Sequence, residues 1–182
     1  LETKITYKLD DKEISADELA GKSGKVSIKI EYINKSAKQV MVNGNQETRY
    51  TPFAVAVGSI IDNENNKNIK ITNGKIIENG NKSIVVGVLM PGLEESLKLS
   101  GELADIEIPN WIEITMDTTN FEMKNIISYA SAKIYEDDIN WSKFDDLFNK
   151  SNELQDSTNQ LEDGANMLKD GIITLRDGTT TL

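Results

Sequence analysis

Roughly the first three quarters of the chain alternates apolar and polar residues with a period of two, which is the pattern of half-buried β-strands. The clearest strand is predicted over residues 25–33, where Ser27, Lys29 and Glu31 separate apolar positions. Further strands are predicted over residues 3–9, 39–42, 53–61, 69–72, 75–77, 83–90, 97–99, 106–108, 111–116 and 121–134. We therefore predict a mainly β, antiparallel β-sandwich over residues 1–136, immunoglobulin-like in its succession of strand, turn and strand.

Two local signals refine the order of these elements. Ser15 is followed three residues later by Glu18, a capping box that predicts a short helix closed by Gly21. Asn73-Gly74 separates the strands at 69–72 and 75–77, and this dipeptide predicts a hairpin between them.

Two further strands are rich in apolar residues. Residues 83–90 are apolar almost throughout, which predicts a central strand buried on both faces. In residues 53–61, larger side chains alternate with small ones, which predicts one inward face. The predicted core comprises Val26, Ile28, Ile30, Ile84, Val86 and Val88.

The tail has a different period, because a leucine returns there every seven residues. The leucines of this seam are Leu147, Leu154, Leu161, Leu168 and Leu175, and the glycines beside it are Gly164, Gly171 and Gly178. A strict seven-residue repeat is the pattern of a helix that keeps one side against a partner. We predict one helix over residues 140–178, in a coiled-coil-type stalk over residues 137–182.

The glycines make this helix dependent on a partner. Each glycine costs about 1 kcal/mol relative to alanine in a helix interior, and isolated helices are marginal even without that cost. Small residues beside a seam do let two helix backbones approach closely. Two alternatives are a frayed linker with a turn at each Asp-Gly pair and a calcium β-roll, whose nonapeptide repeats this tail lacks. The leucines and glycines of the seam are the predicted interaction site.

The heptads Leu161-Glu-Asp-Gly164 and Leu168-Lys-Asp-Gly171 resemble repeats in extracellular segments of Gram-positive membrane proteins, among them the phage infection protein family and related surface stalks. Residues 5–9, 20–24 and 26–32 are similar to the segment that precedes such heptads in clostridial proteins. The pattern departs at the two earliest glycine positions, which hold Lys150 and Ser157. The resemblance implies a cell-surface, extracellular location, with membrane anchoring in the full-length protein.

The composition argues against several classes of function. The 182 residues carry a formal charge of −10, which argues against nucleic acid and anionic membrane surfaces as partners. The chain has no cysteine and no histidine, so disulfides, thiolate chemistry, His- or Cys-based zinc sites and Ser-His-Asp triads are excluded. No apolar run approaches the roughly 20 residues of a membrane span. We expect the chain to be a segment of a longer protein whose targeting and anchoring parts lie elsewhere.

Some polar clusters offer chemical alternatives to a structural role. Asp62, Glu64 and Asn66 place side-chain oxygens at alternate positions, as calcium loops do, but Lys67 stands where that loop requires glycine. We interpret this stretch as a polar hairpin loop. Gly21 lies three residues before a second glycine, a spacing that lacks the rest of a phosphate-binding loop.

Acidic pairs and tryptophans are the remaining candidates. Glycoside hydrolysis needs two carboxyl groups at a set separation, and the candidates are Glu94 with Glu95 and Asp117 with Glu122. Trp111 could stack on a sugar, but a core position is the favoured interpretation. Trp141 is expected to anchor the first turn of the stalk on the head.

Together these patterns predict a protein that is not an enzyme and that needs no cofactor or metal. The expected function is structural and interactive: a sandwich head is presented on a helical stalk that associates with itself or with another stalk helix. The alternative is a carbohydrate-binding or other adhesive module.

Overall fold

A computed structural model describes residues 1–98, 101, 105–122 and 125–132 of the chain, together with residues 167, 169, 170 and 173 of the tail. The chain divides into two compact units, Leu1–Asn140 and Trp141–Leu182, which we describe separately. The first unit is mainly β with antiparallel sheets, as predicted. The boundary predicted between residues 136 and 137 lies outside the described residues and stays a prediction.

The described strands are, in chain order, β1 (Glu2–Leu9), β2 (Lys12–Ile14), β3 (Gly24–Ile33), β4 (Lys38–Val42), β5 (Asn45–Arg49), β6 (Ala54–Asp62), β7 (Asn66–Thr72), β8 (Lys75–Asn79), β9 (Lys82–Leu89), β10 (Trp111–Thr118) and β11 (Ile126–Ser131). Two short helices are α1 (Ala16–Leu19) and α2 (Leu93–Leu97). A five-stranded sheet has the order β2-β1-β3-β10-β7, and a four-stranded sheet has the order β11-β6-β9-β8. Strands β4 and β5 form a separate two-stranded hairpin.

The two larger sheets contribute to one hydrophobic core. The five-stranded sheet buries alternate residues of its central strands, namely Val26, Ile28, Ile30, Tyr32, Ile112, Ile114 and Met116. The four-stranded sheet contributes Val55, Val57, Ile61, Val85 and Leu89 to the same core. Strand β3 therefore confirms the predicted alternation, because Val26, Ile28 and Ile30 are inward and at most 5% exposed.

Strand β9 faces the core with the opposite set of residues from the predicted one. Val85 and Leu89 are fully buried, whereas Val88 is 51% exposed and Ile84 and Val86 are only half-buried. The predicted core membership of Ile84, Val86 and Val88 is therefore wrong. Residues 84–89 of this strand are all apolar or glycine, so the period does not distinguish its two faces.

The packing of Gly87 explains why this face of β9 turns inward. A Cβ atom added at Gly87 would lie 2.5 Å from Cγ2 of Ile112 on the facing sheet. Glycine thus allows Ile112 to approach the backbone of β9 directly. A larger residue at this position would force the sheets apart or displace Ile112.

Strand β6, rather than β9, is the strand buried on both faces. Val55 and Val57 are fully buried on the inward face, and Ala54 and Ala56 are at most 4% exposed on the other. The predicted alternation correctly identified the inward residues. It missed that the small outward side chains are covered by larger neighbours on β9 and β11.

The predicted hairpin at Asn73-Gly74 does not form. Strand β7 pairs with β10 in one sheet and β8 pairs with β9 in the other, so the chain changes sheets here. Asn73 has a positive φ of 59° but Gly74 does not, and a type I′ hairpin turn requires both. A Cβ at Gly74 would lie 2.6 Å from the Val86 carbonyl oxygen, so glycine serves close packing instead.

Among the residues that the structure describes, three other dipeptides make hairpin turns. Asn43-Gly44 joins β4 to β5 with both residues at positive φ, and Asp10-Asp11 does the same between β1 and β2. Gly80, also at positive φ, begins the turn between β8 and β9. The sequence pattern missed β2 and β5, because they are short and mostly polar.

Three predicted strands were wrong or too long. Leu97 ends helix α2, whose leucines Leu93 and Leu97 lie one turn apart, and residues 106–108 are irregular. The strand predicted over 121–134 is confirmed only at Ile126–Ser131 among the described residues.

Helix α1 begins with the predicted capping box. The Glu18 amide donates to Ser15 Oγ over 3.3 Å, and the Glu18 carboxylate accepts from the Ser15 amide over 3.4 Å. The hydrogen bonds from Ser15 lower the pKa of Glu18. Two backbone hydrogen bonds join the turn after the helix to the segment after β10. The Gly21 amide donates to the Phe121 carbonyl, and the Phe121 amide donates to the Lys22 carbonyl, each over 2.8 Å.

Candidate functional site

The predicted leucine seam lies outside the residues that the structure describes. This applies to Leu147, Leu154, Leu161, Leu168, Leu175, Gly164, Gly171 and Gly178, and also to Trp141. Four described residues of the tail are helical and exposed, namely Met167, Lys169, Asp170 and Ile173. The predicted helix over 140–178 and its seam stay predictions. Within the described part of the chain, no helix has the length and apolarity that a membrane crossing requires.

The described part of the chain carries a second candidate for an interaction surface, on the outward side of the four-stranded sheet. Strand pairing sets apolar residues there in three rows that run across the strands. The rows are Tyr129–Ala56–Val88, Ile127–Gly58–Val86 and Ile60–Ile84–Ile77. We call these residues the apolar face.

The apolar face is open to solvent along one side. Ile77 is 53% exposed and Val88 is 51% exposed, whereas Ala56 is only 4% exposed between its larger neighbours. Lys75 ends the middle row, and the next row is the polar Asp62–Lys82–Asn79. The face is therefore a bounded apolar area with a charged edge, which is a common form of protein interface.

The outward side of the five-stranded sheet is polar by contrast. Its rows are Lys8–Ser27–Thr115–Lys70, Thr6–Lys29–Glu113–Thr72 and Lys4–Glu31–Trp111. Ser27 Oγ donates to Glu113 Oε1 over 2.6 Å.

Trp111 belongs to this polar side, so its predicted place in the core is wrong. It is half-buried, and Lys29 Nζ lies 4.6 Å from the centroid of its ring. A cation at that distance is attracted by the ring face. The ring thus supports a lysine and offers a partly exposed aromatic surface.

A buried tyrosine links the two sheets behind the apolar face. Tyr32 on β3 is 2% exposed, and its hydroxyl makes a short hydrogen bond with Ser128 Oγ on β11. Burial raises the pKa of Tyr32, and the bond to Ser128 partly opposes that rise. Ser128 lies on the inward side of the edge strand β11, opposite Val57. Its neighbours Ile127 and Tyr129 therefore lie on the outward side and belong to the apolar face.

The stretch with calcium-loop spacing is a polar connection, but the predicted hairpin is wrong, because β6 and β7 lie in different sheets. Asp62 Oδ1 accepts from the Glu64 amide over 2.9 Å, and Asn66 Nδ2 donates to the Asp62 carbonyl over 2.8 Å. These bonds shape the passage from β6 in one sheet to β7 in the other. Nowhere among the residues that the structure describes do three or more acidic side chains form a group that could hold a metal ion.

The candidate carboxylates serve local hydrogen bonds. Glu94 accepts from the Ile108 amide over 3.2 Å, and Asp117 accepts from Asn68 Nδ2 over 2.7 Å. Asp117 and Glu122 border different depressions of the surface. The structure therefore gives no geometric support to a catalytic pair at these positions.

The two glycines near α1 have backbone roles. Gly21 adopts a φ of +74° at the helix end. Gly24 has a φ of +142°, and a Cβ there would lie 2.8 Å from Leu9 Cδ1 and 3.0 Å from the Asp10 carboxylate. Both positions favour glycine for their backbone conformation, and Gly24 does so for space as well.

Comparison with models of protein families, with curated proteins and with solved structures finds no match to this chain. Any function must therefore be argued from the residues themselves. Sequence reasoning missed the apolar face, although its signal was present. The apolar character of both faces of residues 83–90 exceeds what one core requires, so one face was available for a partner.

Proposed function

We propose that this chain is a non-enzymatic interaction module of a bacterial cell-surface protein. In this proposal the β-rich unit is an immunoglobulin-like sandwich head, and residues 137–182 begin a coiled-coil-type stalk. The observation that carries the proposal is the apolar face. Soluble monomers rarely expose a contiguous apolar area of this kind unless it contacts a partner.

Several side chains of the apolar face are partly exposed, and a partner could bury them. Full burial of a Val, Leu or Ile side chain contributes roughly 1.5–3 kcal/mol. Ile77 and Val88 are each about half exposed, so a partner that covers them would gain about half of this free energy from each side chain. Ile84 and Val86 lie between them and add area to the same contact. A partner with an apolar surface would therefore bind here without any rearrangement of the sheet.

The proposed partner is a second copy of the chain, or another stalk helix. The leucine seam of the tail supplies a second apolar surface at regular spacing. Because the glycines beside the seam disfavour an isolated helix, we expect the tail to be helical only when it is associated with a partner. The net charge of −10 opposes close association of whole molecules. We expect a modest association that weakens at low ionic strength, where charge repulsion is least screened.

The proposed location is the outside of a Gram-positive cell, with anchoring through parts of the full-length protein beyond this segment. The support is the resemblance of Leu161-Glu-Asp-Gly164 and its neighbours to stalk repeats. The absence of cysteine is compatible with that location, because stability then rests on the core.

A carbohydrate-binding module is the second candidate, and Trp111 is the residue that favours it. Its ring lies on an outward side of the head next to polar side chains that could bind hydroxyl groups. Lys29 already occupies one approach to the ring. Glycan-array binding that is lost in Trp111→Ala would support this candidate over protein association.

Sedimentation of the full chain tests the proposed function. We expect the average mass to rise with concentration, and we expect the double variant Ile77→Asp/Val88→Asp to reduce that rise. Thr6→Asp adds a charge to the polar outward side and is the matched control. A chain that stays monomeric at all concentrations would contradict self-association.

The seam is tested separately by Leu161→Asp/Leu168→Asp. We expect this variant to lose helical circular dichroism in the tail while the β-rich unit keeps its thermal transition. Unchanged helical signal would show that the seam does not hold the helix. Since the two double variants alter different units, their effects on association separate the contribution of each surface.

A further inference from the structure

The dipeptide Asn-Gly occurs three times in the chain, at Asn43-Gly44, Asn73-Gly74 and Asn79-Gly80. In this dipeptide the glycine amide nitrogen can attack Cγ of the asparagine, because glycine has no side chain to block the approach. A bond forms between that nitrogen and Cγ, the Cγ–Nδ2 bond breaks, and ammonia leaves. Water then opens the resulting succinimide ring at either carbonyl and gives aspartate or isoaspartate.

The folded chain does not hold these pairs equally. For the attack, the asparagine side chain and the next amide must leave the geometry of the turn, so the reaction proceeds through local opening of the backbone. Where opening costs little free energy, the pair reacts at nearly the rate of an unfolded chain. Where tertiary contacts hold the pair, the reaction slows in proportion to the time that the segment stays closed.

Asn43-Gly44 is the pair that the fold holds least. It forms the turn of the β4–β5 hairpin, with φ values of 49° and 81°, and both residues are exposed. The hairpin is a two-stranded sheet of its own, and such a sheet is marginally stable. Among the residues that the structure describes, no atom lies within 4 Å of a Cβ built on Gly44. The Tyr50 amide, at the other end of the hairpin, donates to Ser96 Oγ over 3.0 Å.

Asn73-Gly74 is held by both larger sheets. Asn73 Nδ2 donates to the Trp111 carbonyl of the five-stranded sheet over 3.1 Å. A Cβ at Gly74 would lie 2.6 Å from the Val86 carbonyl oxygen of the four-stranded sheet. The asparagine amide therefore has a partner, and the glycine is closely packed. Opening this pair breaks contacts with both sheets.

Asn79-Gly80 is exposed, but its strands belong to a larger sheet. Asn79 pairs with Lys82 where β8 meets β9, and β9 lies inside the four-stranded sheet. The Asn63 amide also donates to the carbonyl of Asn81 in the turn, over 2.7 Å. This pair therefore opens less readily than the turn of the separate hairpin.

We propose that Asn43 is the asparagine at which the folded protein deamidates, and that the isoaspartate product opens the β4–β5 hairpin. Isoaspartate adds a methylene group to the main chain, so the turn no longer matches the strands that it joins. The pairing of Val40 with Glu47 is then lost. Aspartate, the other product, is accepted in the same type of turn. The reaction needs only water, and it does not involve the apolar face.

The site is tested by incubating the full chain at mildly alkaline pH and mapping its peptides by mass spectrometry. We expect Asn43 to deamidate at least about tenfold faster than Asn73, and faster than Asn79. In urea that unfolds the chain we expect the rates to converge, because the dipeptide is the same at each site. Reaction of Asn73 or Asn79 as fast as Asn43 in the folded chain would overturn the proposal, and so would a difference that persists in urea.

Asn43→Gly is the matched variant, because Gly-Gly is compatible with the turn and carries no side-chain amide. We expect it to lose the fastest phase of ammonia release and to leave the rate at Asn73 unchanged. Persistence of that phase in Asn43→Gly would overturn the assignment to Asn43.

Amide hydrogen exchange of the purified isoaspartate form tests the effect on the hairpin. We expect exchange in β4 and β5 to be at least about tenfold faster, with β3 and β6 unchanged. Asn43→Asp carries the same charge without the added methylene group and should exchange like the unmodified chain. Equal protection of the isoaspartate form and Asn43→Asp would overturn this part of the proposal. These measurements do not depend on self-association, so failure here and failure of the proposed function are separate outcomes.

Discussion

The two outward sides of the β-rich unit differ sharply, although both are built from the same alternation. On the five-stranded sheet, lysine, glutamate, serine and threonine fill the rows across the strands. On the four-stranded sheet the corresponding rows hold isoleucine, valine, alanine, glycine and tyrosine. The polar side is what an antiparallel sheet presents to water. The apolar side is what a sheet presents to a second layer of protein.

Burial of the inward residues and polarity of the outward residues have separate causes. Inward residues of the central strands of both sheets are buried, whatever their outward neighbours are. The outward residues carry no requirement from the core. The core therefore does not explain why one outward side is apolar.

The largest expected effect comes from two adjacent residues of β9 that face opposite ways. Leu89→Ala should lower the free energy of unfolding by about 2–5 kcal/mol, because it leaves a cavity in the core. Val88→Ala should lower it by only about 0.5 kcal/mol, because Val88 is half exposed. Urea unfolding of both variants measures the contrast. Equal losses would show that the outward side is covered within the chain itself.

The next effect concerns the hydrogen bond that joins the sheets. Tyr32→Phe removes this hydrogen bond and should lower stability at neutral pH by about 0.5–1.5 kcal/mol. The loss stays in this range because Ser128 is exposed, so water can take the place of the Tyr32 hydroxyl. Tyr129→Phe, on the apolar face, is the matched control and leaves the Tyr32–Ser128 pair intact.

The same variant has a pH dependence with a definite sign. Because the pKa of Tyr32 is raised in the folded protein, the unfolded chain ionises first as the pH rises. This contribution to stability is complete below pH 10, the ordinary pKa of tyrosine, and is lost as the pH rises through the raised pKa. Stability of Tyr32→Phe should therefore fall less steeply above pH 10 than that of the wild type. Parallel pH profiles would contradict this assignment.

The smallest effect is expected on the polar side. Lys29→Met removes the cation above Trp111 and should lower stability by about 0.5–1 kcal/mol. Thermal unfolding should shift slightly, and the fluorescence of Trp111 should report the lost contact. A loss comparable to that of Leu89→Ala would mean that the polar side supports the fold as strongly as the core does, and the contrast between the sides would fail.

Several features of the fold followed from local sequence patterns, because their causes are local. The alternation of Val26, Ile28 and Ile30 set the inward face of β3, since polar residues separate them and only one face can be buried. Ser15 and Glu18 determined the start of α1, because a capping box satisfies the first amides of a helix without tertiary contacts. The lack of histidine and cysteine limits the possible chemistry in any fold, because no arrangement of the chain can supply an imidazole or a thiolate.

Tertiary structure decided the features for which the local pattern was ambiguous. Residues 84–89 are apolar or glycine on both faces, so the close approach of Ile112 to Gly87, and not periodicity, selects which face is inward. At Asn73-Gly74 the same dipeptide that makes a hairpin at Asn43-Gly44 instead carries the chain between sheets. Its neighbours pair with β10 and β9, and those distant partners outweigh the turn propensity. Asn66 likewise becomes buried only because the chain passes there from one sheet to the other, a condition that no stretch of sequence contains.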